Sequence, residues 1–140
     1  MFVHLNTHSI YSPMRGLLSL PEMMDLAKSC SMDTLALTDV NGLWGFIRFV
    51  QHCRSSRINP IAGVNLITNK QEVLILVENQ YGYENLCRII SSMHDDPNGD
   101  ISDILRKYHA GVFVLGYDIS ILKELSSFIP DSHLFVELRP

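Results

Sequence analysis

Three polar side chains at alternate positions near the N-terminus could take part in metal chemistry. His4, Asn6 and His8 occur in the stretch HLNTHS, which has the pattern of a short strand. Alternate residues of a strand point to the same face, so these side chains are predicted to converge. Neutral imidazole is the commonest nitrogen ligand of catalytic metals. The stretch therefore suggests a metal site, either complete or with a ligand missing.

Two further polar residues follow predicted strands. Asp39 comes directly after a continuous apolar run at residues 34–38, which is typical of a strand buried on both faces. Asn65 lies near the end of another predicted strand, at residues 61–67. In parallel α/β architectures the functional groups collect at the C-terminal ends of the strands. Asp39 and Asn65 are therefore candidates for the same site as His8.

The elements that must position these residues alternate between strand and helix. Strands are predicted at residues 2–9, 34–38, 61–67, 72–77, 111–116 and 134–138. Helices are predicted after residues 19 and 41 and at residues 83–93, 101–108 and 119–128. This order predicts an α/β fold with a parallel sheet and right-handed crossovers. Since no linker is visible, residues 1–140 are expected to belong to one domain.

Local signals place the first two helices. Ser19 and Glu22 have capping-box spacing, with Pro21 in the first turn. Asn41 is predicted to cap the second helix. The apolar stripe of that second helix is predicted to consist of Leu43, Phe46, Ile47, Val50 and Cys53. Trp44 and Phe46 are expected to pack the helix against the rest of the fold rather than to stack on a nucleic-acid base.

Composition narrows the class of protein. Apolar residues make up 46% of the chain and charged residues 19%, which predicts a globular domain. The net charge of −4 argues against a large nucleic-acid-binding surface on this chain alone. The three cysteines form no C-x-x-C pair, and the sequence shows neither a signal peptide nor a membrane span. These features predict a cytoplasmic protein without membrane contact.

Several ordered motifs resemble one family. The chain reads HLNTHSIYS, then PMRG, LALTDVNGLWGFIRF, INPIAGVNL and LILVENQYGYENLCRIIS. These stretches resemble, in order and spacing, the polymerase and histidinol phosphatase (PHP) domain, in the form found at the N-terminus of bacterial DNA polymerase III alpha subunits. The family pattern is approximately HLHxHSxYSxxDG, ALALTDHGNLxGxxxF and KPIxGxE. The resemblance is clear over about the first 95 residues and weaker, but colinear, to the end.

The resemblance implies a fold and a chemistry. Family members form a distorted (β/α)7 barrel, of which this chain would supply about six strands, as the N-terminal portion of a single PHP domain in a longer polymerase. Active members hold two or three divalent metals at the strand ends and hydrolyse phosphoesters, and some resemble 3′–5′ exonucleases. Clustered metals generate hydroxide near neutral pH and stabilise both oxygens of the displacement.

The family's ligands in the first motif are only partly present here. The first histidine of H-x-H corresponds to Asn6, whose neutral amide is a poor ligand, whereas His8 is retained. The aspartate of YSxxDG corresponds to Arg15, a permanent cation in place of an anion.

The next two motifs have lost ligands as well. Asp39 of the TD pair is retained, but the following histidine is Val40, which cannot coordinate a metal. The glutamate of GxE is Asn65. Only His8 and Asp39 remain as possible ligands, so the site is predicted to be degenerate, with no catalytic residue and no bound cofactor in this chain.

Two roles are open for the retained residues. His8 is expected to be a structural residue that donates a hydrogen bond to Asp39, rather than a residual metal ligand. Arg15 either reaches into the site and neutralises Asp39 or points into solvent.

The resemblance leads to one expected function and one alternative. The expected function is that of the PHP module of a DNA polymerase III alpha-type DNA-directed DNA polymerase in DNA replication, with a structural or docking role. Its expected partners are the remainder of the polymerase chain, a proofreading exonuclease subunit, and DNA through the parent polymerase. The alternative is a metal-dependent phosphoesterase or 3′–5′ exonuclease. A replicative and an error-prone parent polymerase are both compatible with the sequence.

Overall fold

The computed structural model describes residues 2–138. These residues fall into two compact units, one ending at Val64 and the other beginning at Asn65. The first unit contains α1 (Leu20–Ser29), β1 (Thr34–Leu37), α2 (Phe46–Ser56) and the beginning of β2 (Asn59–Ile67). The second unit contains the end of β2, then β3 (Glu72–Val77), α3 (Gln80–Asp95), α4 (Ile101–Tyr108), β4 (Val112–Gly116), α5 (Ile119–Leu125), a 3₁₀ turn (Asp131–His133) and β5 (Leu134–Val136).

The strands form a mixed sheet in the order β1-β2-β3-β4-β5. Strands β1 and β2 are parallel, as are β4 and β5, whereas β3 and β4 are antiparallel. The α/β class is confirmed, but the prediction of an all-parallel sheet is wrong for the β3–β4 pair. In the sequence, α3 and α4 stand between β3 and β4. Hydrophobic periodicity does not show whether the strand after such a connection runs parallel or antiparallel to the one before it.

The predicted first strand, residues 2–9, is not a regular strand. This segment is hydrogen-bonded to β1 at two points, from Ala36 N to His4 O at 3.2 Å and from Thr38 N to Thr7 O at 2.9 Å. Between them the N–H of Thr7 donates to the Thr38 hydroxyl at 2.9 Å and the Thr7 hydroxyl donates to Ala36 O. Side-chain hydrogen bonds thus replace some of the backbone hydrogen bonds that would pair residues 2–9 with β1 as a regular strand. Residues 2–138 contain five strands, not the predicted six.

Helix α1 begins as predicted. The Glu22 carboxylate accepts hydrogen bonds from the backbone N–H of Ser19 at 2.8 Å and from its hydroxyl at 2.6 Å, which completes a capping box. The buried face of α1 packs against α2 in the core of the first unit. That core consists of Leu20, Met23, Met24, Ala27, Leu35, Leu37, Phe49, Cys53 and Ile58.

Helix α2 begins later than predicted. Gly45, not Asn41, occupies the N-cap position, and Asn41 adopts a left-handed φ of 51° in the preceding loop. The predicted stripe is partly wrong, because Phe49 and Cys53 are the buried residues of this helix while Ile47 is exposed.

In the second unit, side-chain caps begin all three helices. Asn79, Asp100 and Asp118 each accept a hydrogen bond from a backbone N–H of the first turn, at 2.8–2.9 Å. The fully buried apolar side chains of this unit include Leu74, Ile75, Leu86, Ile89, Ile101, Leu105, Val112, Val114 and Leu125. Within residues 2–138, no helix has both the length and the apolar character needed to cross a membrane.

Candidate functional site

The candidate site is built around Asp39, two residues after the end of β1. This side chain is 1% exposed, although it carries a carboxylate. Oδ1 accepts hydrogen bonds from the backbone N–H of Ser9 at 2.8 Å and from the Ser12 hydroxyl at 2.6 Å. Oδ2 accepts one from the Ser9 hydroxyl at 2.8 Å. Three donors compensate for the loss of hydration on burial, since donors to a charged acceptor form strong hydrogen bonds.

Ser12 connects this carboxylate to the next residue of the chain. Its hydroxyl donates to Asp39 and accepts from the backbone N–H of Val40 at 2.9 Å. The Ser12 carbonyl accepts from the N–H groups of Arg15 and Gly16, at 3.1 and 2.9 Å. One serine thereby links the turn at residues 12–16 to the end of β1.

Gly16 allows this turn to close on itself. A Cβ atom at this position would lie 1.8 Å from the carbonyl oxygen of Ser9, so any other residue would collide with backbone. A bridge between Ser9 and Leu18, with a bond from Ile10 N to Leu18 O at 3.1 Å, closes the loop over residues 10–18. We call this segment the pinned loop.

The remaining predicted site residues have different surroundings. Asn6 is partly buried, and His8 lines a pocket of about 250 Å³ with His4 and otherwise mostly apolar side chains. Arg15 is exposed on the turn. In the second unit, Asn65 is 1% exposed, and its amide donates to the Glu72 carboxylate at 3.0 Å.

The prediction that His8 hydrogen-bonds Asp39 is corrected by this geometry, and of the two positions left open for Arg15 the structure has the exposed one. The donors to the Asp39 carboxylate are Ser9 and Ser12, not the imidazole of His8 or the guanidinium of Arg15. Neutral hydroxyls and a backbone N–H already satisfy both oxygens, so burial of the carboxylate requires no cation. Sequence reasoning missed the two serines, although both stand in the HSxYS part of the motif.

The donor atoms do not fit the metal cluster that the fold family implies. Oδ1 of Asp39 already accepts two hydrogen bonds, the side chain of Val40 has no atom that can bind a metal, and Arg15 is a cation. Among residues 2–138, no group of three or more His, Cys, Asp or Glu side chains is arranged to hold a metal ion. The arrangement around Asp39 therefore positions a loop, and we derive no hydrolytic step from it.

Comparison with known proteins agrees with the motifs. The family model of the PHP domain matches residues 4–138. DNA polymerase III subunit alpha of Borreliella burgdorferi is 30% identical over 131 residues, covering 79% of this chain. The subunit of Bacillus subtilis is 30% identical over 122 residues, covering 81% of this chain. The chain spans only 11% of the length of each of these relatives.

Solved structures with a similar fold are more distant in sequence. One is reported as a metal-dependent phosphoesterase from Bifidobacterium adolescentis, with a TM-score of 0.58, 11% identity, and coverage of 96% of this chain and 75% of the other. Another is an amidohydrolase from Chromobacterium violaceum with bound sulfate and no metal, with a TM-score of 0.56, 13% identity, and coverage of 96% and 75%. At this identity the likeness concerns the fold alone. Because the family model covers nearly all of the chain, the protein belongs to the PHP domain family.

Proposed function

We propose that this chain is the N-terminal portion of the PHP module of a DNA polymerase III alpha-type DNA-directed DNA polymerase, and that the module acts in replication as a scaffold and docking element. DNA polymerase III alpha subunits of several bacteria match about four-fifths of the chain. The observation that carries the non-catalytic role is the buried Asp39, whose two oxygens are engaged by Ser9 and Ser12.

The proposal includes a fold and a set of partners. The mixed α/β sheet would be part of the distorted (β/α)7 barrel of the family. The module would pack against the remainder of the polymerase chain and offer a surface to a proofreading exonuclease subunit. DNA would be contacted by the parent polymerase, since this chain has a net charge of −4.

A primer-extension assay tests the assignment to a polymerase. The protein that carries this sequence is purified from its source with an antibody raised against the chain, and extension of a primed single-stranded template is measured. Activity should follow the antigen through successive columns, and a pre-immune antibody should recover none. Antigen that purifies away from all primer extension would overturn the assignment.

A second assay separates the docking role from the alternative of a phosphoesterase or 3′–5′ exonuclease. The chain is incubated with p-nitrophenyl phosphate, or with 3′-labelled single-stranded DNA, in the presence of Mn²⁺ or Zn²⁺. No turnover is expected, because hydroxide generation needs a metal held by several ligands. Metal-dependent turnover that disappears in the His8→Ala variant would favour the alternative.

A further inference from the structure

We draw no further inference here: the strongest candidate, the largely apolar pocket of about 250 Å³ in the first unit that His4 and His8 line together with side chains of α1, carries nothing because nothing among residues 2–138 shows what covers it.

Discussion

The Asp39 carboxylate is buried and accepts three hydrogen bonds from the N-terminal segment of the chain. Asp39 follows a buried strand in a metal-binding motif, and from sequence it is a candidate ligand. In the structure it is a buried acceptor for Ser9 and Ser12, which are neutral and lie in the same motif. Through these hydrogen bonds the carboxylate stabilises the loop at residues 10–18.

Removal of this carboxylate should destabilise the fold. Asp39→Ala leaves two serine hydroxyls and the Ser9 N–H without their acceptor in a buried place, at a cost of about 3 kcal/mol. Asp39→Asn keeps one acceptor oxygen and should cost less. Asp33→Ala is the matched control, since Asp33 also accepts from a hydroxyl, that of Thr34, but is exposed. Urea unfolding measures all three, and equal effects of Asp39→Ala and Asp33→Ala would contradict the role assigned to Asp39.

Cys53 makes a pH-dependent contribution to stability. Burial raises the pKa of its thiol from 9.0 to about 11. As pH rises through this window, the thiol ionises in the unfolded chain but not in the folded one, so the unfolded state gains stability. The free energy of unfolding should therefore fall between pH 9 and pH 11.

The comparison that isolates this effect uses cysteine variants. In Cys53→Ala the decrease in unfolding free energy over the same pH range should be smaller, whereas Cys30→Ala, at an exposed cysteine, should behave as wild type. Identical pH dependence in all three proteins would show that Cys53 does not contribute.

At the scale of the elements, close backbone contact determines where helices can lie. The first turn of α3 lies against the turn before β4, where Glu78 N donates to Gly111 O at 3.0 Å and Asn85 donates to Ala110 O at 2.8 Å. Gly82 is the residue of α3 at the point of contact, and a Cβ atom there would lie 1.7 Å from Gly111 O. Gly111 itself has a left-handed φ of 75°.

Gly82→Ala should therefore destabilise the protein although alanine favours helices. The methyl group must push the turn before β4 away from α3. Because the clash is with backbone, the cost should lie at the upper end of the range for overpacking, about 3 kcal/mol, which exceeds the gain of about 1 kcal/mol in helix propensity. Gly99→Ala is the control, since a Cβ atom there has 3.1 Å to its nearest neighbour, in an exposed part of the chain. Thermal unfolding of both variants measures the difference, and a Gly82→Ala protein as stable as wild type would refute the assigned contact.

At the scale of the whole molecule, sequence patterns predicted the elements better than their arrangement. Glu72–Val77 and Ile101–Tyr108 have the predicted bounds, because apolar periodicity and caps are local signals. The direction of β4 relative to β3 and the replacement of ladder bonds by Thr7 and Thr38 depend on tertiary contacts, which periodicity does not encode. That Asn6, Arg15, Val40 and Asn65 replace metal ligands stays a prediction from residue types, whereas the hydrogen bonds of Ser9 and Ser12 to Asp39 were not predicted.

The predicted degeneracy of the metal site leads to a test of the stability of the whole chain. A metal that binds only the folded state would stabilise it by about 2.7 kcal/mol at a concentration 100 times its dissociation constant. Since no group of ligands is arranged for a metal in residues 2–138, Mn²⁺, Zn²⁺ and EDTA should each shift the melting temperature by less than about 1 °C. Scanning calorimetry of wild type, His8→Ala and His94→Ala separates specific from surface binding, because His94 is an exposed histidine on α3. Stabilisation by a metal that is lost in His8→Ala but kept in His94→Ala would mean that His8 still holds a metal ion.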